Sequence, residues 1–128
     1  MSAVTVTLLT LTVLPIVLAW VSGSYRHFQL GGVDNSEPRK QAMQLEGAGA
    51  RAIAAQKNAW EALVVLLAAL AALLVADYDV SSLAPYLYAF IVCRVLHAVF
   101  YITDLALLRS LAFIAGYGIC VYFMVLAL

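Results

Sequence analysis

From Ala59 to Ala76 the chain reads AWEALVVLLAALAALLVA, an apolar run interrupted by one charge, Glu61. About 20 apolar residues in a helix cross the roughly 30 Å hydrocarbon core of a bilayer. This run is therefore read as a membrane span, and its single carboxylate is the anomaly to explain. The whole chain shares the character of the run. It is 66% hydrophobic with a mean hydropathy of +1.00, so most of it belongs in lipid.

Working outward, four spans are expected in one domain over residues 1–128. The second runs from about Ala48 to Ala76. At 1.5 Å per residue it would be about 43 Å long, so its first turns should project beyond the hydrocarbon. Asp77-Tyr78-Asp79 ends it. The third runs from about Leu83 to Thr103, with Pro85 suited to a first helical turn. The fourth runs from about Arg109 to Leu128. The first runs from about Ala3 to Ser22, with a kink expected at Pro15. It lacks the basic leading region of a cleaved signal peptide. From Tyr25 to about Glu46 the composition turns polar, with Gly31-Gly32 and Asp34-Asn35-Ser36-Glu37-Pro38. That is loop chemistry.

Charge sets direction. Arg26, Arg39, Lys40, Arg51 and Lys57 cluster around the first loop, whereas the turn between spans two and three has only Asp77 and Asp79. The positive-inside rule puts the first loop in the cytoplasm and both termini outside. The expected location is a bacterial inner membrane. Trp20, Tyr25, Tyr78, Tyr86 and Tyr88 fall near span ends, as an aromatic belt would. Seven basic residues balance seven acidic ones, so the basic face required for nucleic acid is missing. Cys93 and Cys120 lie in apolar segments and read as small buried hydrophobes. No His, Cys and carboxylate set has metal-ligand spacing, and no metal is expected.

Charges inside spans cost about 2.5–3.5 kcal/mol on insertion scales, so those present need a partner or a role. Counted from the Asp77–Ser81 turn, Glu61 and His97 each lie about 24 Å along their helices, Asn58 about 28 Å and Arg94 about 20 Å. The four share one layer, with Arg51 and Tyr101 nearer the first loop. Arg51, Asn58 and Glu61 fall on one face of span two, and Arg94, His97 and Tyr101 on one face of span three. A Glu61–Arg94 ion pair between the spans is expected. A purely structural polar zipper is the plainer reading, but it needs only two or three such groups. Arg109 alone would read as a snorkelling anchor and Ser110 as a helix cap. Ala112, Gly116 and Cys120 make a small-residue packing face suited to helix association or oligomerisation. His27 belongs to the loop and is expected to be solvated.

These stripes have a recognisable spelling. Arg51-Ala52 followed by Gln56, Asn58 and Glu61 resembles the pattern Arg-Ala-Gln/His-x-Asn-x-x-Glu. Arg94-Val95-Leu96-His97-Ala98-Val99-Phe100-Tyr101 resembles Arg-x-x-His-x-x-x-Tyr. Arg109-Ser110-Leu111-Ala112-Phe113 resembles Arg-Ser-x-x-Tyr/Phe. The three occur in order in the MAPEG family, membrane-associated proteins in eicosanoid and glutathione metabolism. The resemblance implies an all-α membrane protein, a four-transmembrane-helix bundle that assembles as a homotrimer. It implies glutathione as co-substrate, lying between subunits. Asn58, Glu61, His97 and Tyr101 would hold it, with Arg51, Lys57 and Arg94 beside them. Arg109 would stabilise the thiolate and Ser110 would donate to the sulfur. The implied activity is a glutathione transferase or peroxidase acting on a lipophilic electrophile from the bilayer. The alternative is a non-catalytic scaffold that binds a lipid or a protein partner. A transporter is disfavoured, because neither repeats nor broken helices are evident.

Overall fold

The computed structural model describes residues 2–128. They form α1 (Ala3–Leu30), α2 (Pro38–Ala42), α3 (Gly47–Val75), a 3-10 turn (Val80–Leu83), α4 (Ala84–Ile102) and α5 (Ala106–Leu126). Among the described residues, four helices (α1, α3, α5, and α4 with its preceding 3-10 turn) are long and apolar enough to cross a membrane. The chain is an all-α bundle of four such helices, as expected, but several boundaries move.

The largest correction is at the first loop. The span expected to end near Ser22 continues as helix to Leu30. Polarity ended the apolar pattern there, but no residue from Gly23 to Leu30 obliges the helix to stop. It ends where Gly31 takes φ 77°, the left-handed conformation that glycine adopts without a Cβ clash. Pro15 lies inside α1, which is helical on both sides of it. The remaining connection is folded rather than loose. Asp34 Oδ1 accepts from the Ser36 and Glu37 amides, while Gln41 accepts from the Asp34 amide and donates to the Gly32 carbonyl. Within it Pro38 opens the short α2. Further on, α5 begins at Ala106, a turn earlier than expected.

Two connections use the same device. After α3, the Tyr78 amide donates to the Leu73 carbonyl and Asp77 to Leu74; after α4, Leu105 donates to Phe100 and Asp104 to Tyr101. This is the Schellman pattern, which satisfies terminal carbonyls through one left-handed residue. Here that residue is an aspartate both times, with φ 53° at Asp77 and 63° at Asp104. Asp79 then starts the 3-10 turn by accepting from the Ser81 amide and hydroxyl. Those bonds hold the Asp79 carboxyl below the ordinary carboxylate range. Because Asp77 carries a Cβ in a left-handed position and its side chain is exposed, Asp77→Gly should stabilise the hairpin by about 0.5 kcal/mol. Thermal unfolding in detergent checks this; a lower melting temperature would refute it.

Helix α3 packs against α1, α4 and α5. Toward the α3–α4 turn, Leu66, Ala69 and Leu73 meet Leu87, Phe90 and Phe123 in the main apolar cluster. Toward the other end, Ala55 and Ala59 meet Leu18 and Ala98. Alanines here let the helices approach closely, which is how bilayer bundles gain dispersion energy without a hydrophobic drive. The small-residue face of α5 is used inside the chain. Ala112, Gly116 and Cys120 are buried, and a Cβ on Gly116 would lie 3.5 Å from Cys93 Cβ and 3.7 Å from Arg94 Cδ. The face thus serves packing against α4, the helix association expected of it.

Candidate functional site

Between these two clusters lies the polar layer. Arg94 projects from the middle of α4 and is 3% exposed. Its Nη2 donates to Asn58 Oδ1 on α3, and the same nitrogen lies 3.3 Å from His97 Nδ1. A guanidinium only donates, so Nδ1 must accept, and the ring proton of a neutral His97 then sits on Nε2. Asn58 Nδ2 in turn donates to Glu61 Oε2 at 3.4 Å.

The expected Glu61–Arg94 ion pair does not form. Among the described residues, the ion pairs within 4 Å are Lys40–Glu37 and Arg51–Asp104. The reason is geometric. Asn58 and Glu61 lie nearly one turn apart on the same face of α3, and the shorter side chain meets Arg94 first. Glu61 is left on the exposed side of the helix, bridged to the arginine through the Asn58 amide. Arg94 is consequently a buried cation without a carboxylate partner. Its Nε is sealed from solvent and makes no hydrogen bond. Such orphan donors are uncommon in native interiors.

The layer continues along α4. Tyr101 meets the His97 ring edge-on at 5.5 Å, and Arg109 Cζ sits 4.6 Å from the centre of the Tyr101 ring. At that distance a cation is attracted to the ring face. A line of groups from Arg94 through His97 and Tyr101 to Arg109 thus joins α4 to the first turn of α5.

The other candidates stand apart from this line. Arg51 Nε donates to the Ile102 carbonyl at 3.1 Å, and its Nη1 lies 3.8 Å from Asp104. It closes the end of α4 instead of joining Arg94. Lys57 is exposed on α3. Ser110 is exposed and donates to the Ala106 carbonyl at 3.0 Å. Its reading as a helix cap is corrected, since Leu105 occupies that position.

A cleft of about 210 Å³ opens beside the layer, between α3, α4 and α5. Asn58, Glu61 and Arg94 form its polar end, and Val65, Phe90 and Tyr117 contribute to the apolar remainder. The rings of Phe113 and Tyr117 lie parallel on its α5 side, their centres 6.0 Å apart. Tyr117 escaped the reading of the sequence. The available signal was spacing: it stands one turn after Phe113 and two after Arg109, on the same face of α5. The cleft therefore combines unspent cationic donors with an apolar wall, a combination that suits an anionic molecule meeting a lipophilic one.

The chain matches the model of the MAPEG family over residues 3–128. No curated protein and no solved structure matches it.

Proposed function

This chain belongs to the MAPEG family, and from that premise we propose that it is a glutathione-dependent membrane enzyme of the transferase or peroxidase type. The observation that supports this reading best is Arg94. A buried guanidinium with an orphan Nε and, among the described residues, no carboxylate within 4 Å is held at the polar end of a cleft. Glutathione carries two carboxylates, and charge-assisted bonds from arginine to carboxylate are among the strongest hydrogen bonds available. In this reading Arg94 and Asn58 hold one carboxylate, Glu61 meets the ammonium, and Lys57 reaches the remaining negative charge.

The thiol end extends toward Tyr101 and Arg109. A cation beside a thiol favours the thiolate, which is the nucleophile. Arg109 supplies that cation. Ser110 would swing its hydroxyl from the Ala106 carbonyl to the sulfur. The proton leaves to solvent as the thiolate forms. In conjugation, the sulfur's electron pair then makes a carbon–sulfur bond while the leaving group departs with its own pair. The electrophile enters from the bilayer along the apolar wall of the cleft. The active form in this reading is a homotrimer with glutathione between neighbouring subunits, the first loop facing the cytoplasm.

Thermal unfolding in detergent tests the binding step. A ligand at one hundred times its dissociation constant adds about 2.7 kcal/mol of stability. Millimolar glutathione should raise the melting temperature of the chain by several degrees, and Arg109→Ala should remove most of that rise. An unchanged melting temperature in the wild type would reject the glutathione reading and leave a scaffold that binds something else.

A further inference from the structure

The corner between α4 and α5 carries Arg109 to its place, yet it lies on the surface. Every residue from Thr103 to Leu108 is exposed. Tyr101 precedes the corner and Arg109 follows it, so their contact at 4.6 Å is closed across it. The chain turns there on Asp104, at φ 63°. Hydrogen bonds, rather than burial, must set the direction in which α5 departs.

The last four carbonyls of α4 show how. A helix leaves such carbonyls without partners of its own. Val99 accepts from the Thr103 amide, Phe100 from Leu105 and Tyr101 from Asp104. The fourth, Ile102, is satisfied from another helix, by Arg51 Nε of α3 at 3.1 Å. The Arg51 side chain is 29% exposed, and its Nη1 lies 3.8 Å from Asp104 Oδ2. One guanidinium thus grips the corner on both sides of Thr103. A cation is also favoured at a helix C-terminus, where unpaired carbonyls concentrate negative potential. Among the described residues, no side chain of α1 or α2, and no other of α3, hydrogen-bonds to residues 102–108.

Beyond the corner, the Leu105 carbonyl accepts the Arg109 amide at 2.9 Å in the first turn of α5. A shift at Ile102 and Asp104 therefore moves this turn, and with it the guanidinium beside the Tyr101 ring.

We propose that Arg51 is a positioning residue. By fixing Ile102 and Asp104 it sets how α5 leaves α4, and so keeps Arg109 beside Tyr101, where the thiolate forms. The thiolate part of this inference rests on the glutathione reading; the clasp itself does not. Arg51 touches no ligand in this arrangement. Its loss acts on ionisation of the bound thiol and spares the carboxylate grip of Arg94 and Asn58.

The test compares the wild type with Arg51→Gln and Arg51→Lys as full chains in detergent. Ultraviolet absorbance of bound glutathione against pH reads thiolate formation. In Arg51→Gln the thiol should ionise about one pH unit higher, leaving about tenfold less thiolate at any pH below both values. With an activated aryl halide, kcat should fall about tenfold. The glutathione dissociation constant, measured in mildly acidic buffer where the bound thiol is neutral, should stay within about twofold. Arg51→Lys should recover more than half of the lost kcat, because an ammonium still donates to the Ile102 carbonyl. Without ligand, hydrogen exchange in Arg51→Gln should be at least about fivefold faster over residues 103–110 and unchanged over 62–75 of α3. Should Arg51→Gln fail to fold, Asp104→Asn carries the same comparison with effects of about threefold, since asparagine tolerates the left-handed conformation. A weaker dissociation constant with unchanged thiol ionisation would make Arg51 a ligand contact and overturn the proposal. A wild type without thiolate absorbance would reject the glutathione reading instead. The ligand-free exchange then decides the clasp, and equal exchange over 103–110 in variant and wild type overturns it.

Discussion

Replacing Arg94 with methionine is expected to leave the unliganded bundle standing while weakening glutathione binding at least about thirtyfold. Two terms oppose each other in the unliganded protein. Methionine removes a buried charge that has no carboxylate partner, and burying such a charge costs several kcal/mol. It also strands Asn58 Oδ1 and His97 Nδ1, each of which loses its Arg94 donor. A stranded buried acceptor costs about 1–3 kcal/mol. The terms nearly cancel, so stability should change by less than about 2 kcal/mol. Binding has no such compensation. Truncating one member of a buried charge pair across an interface costs about 2–5 kcal/mol. A structural zipper predicts the opposite ranking, a bundle that falls apart and no ligand effect. Unfolding and glutathione titration on the same variant separate the two.

The second large effect concerns the joint that sets α1 against α3. A Cβ on Gly49 would lie 3.1 Å from Tyr25 Cβ, 3.1 Å from Gln29 Nε2 and 3.3 Å from Leu45 Cβ. Nothing larger than hydrogen fits without movement. Around it Gln29 donates to the Glu46 carbonyl and accepts from the Glu46 amide, both at 3.1 Å. Gly49→Leu must push the extension of α1 off the head of α3 and break that pair. Overpacking of this kind costs about 3 kcal/mol. Gly116→Ala is the control, because its Cβ would meet neighbours at 3.5 Å and beyond, an ordinary contact. There alanine's better helix propensity should stabilise by about 0.5 kcal/mol. Equal losses at the two glycines, read by thermal unfolding, would refute this account of the joint.

The contrast between Gly49 and Gly116 shows what a sequence discloses. Apolar run lengths gave the spans, because the bilayer imposes one thickness on every helix. Polar groups counted from a shared turn came to one depth, because helical rise is fixed. Asn58, Arg94 and His97 do converge. What the sequence did not disclose depends on side-chain reach and competition. Asn58 and Glu61 sit on one face, and only geometry decides that the amide reaches Arg94 and the carboxylate does not. The end of α1 was hidden for a related reason. Loss of apolar periodicity marks where lipid ends, whereas Gly31 marks where the helix ends. Arg26 is one of the cations clustered around the first loop, and that its Nε is sealed without a partner is visible only in the structure.

Calorimetric titration of glutathione into the purified full chain in detergent, beside Arg94→Gln, tests the central claim most directly. The account predicts saturable binding to the wild type, and at least tenfold weaker binding to the variant at a similar melting temperature without ligand. No saturable heat at millimolar glutathione, or the same dissociation constant in both proteins, would contradict it.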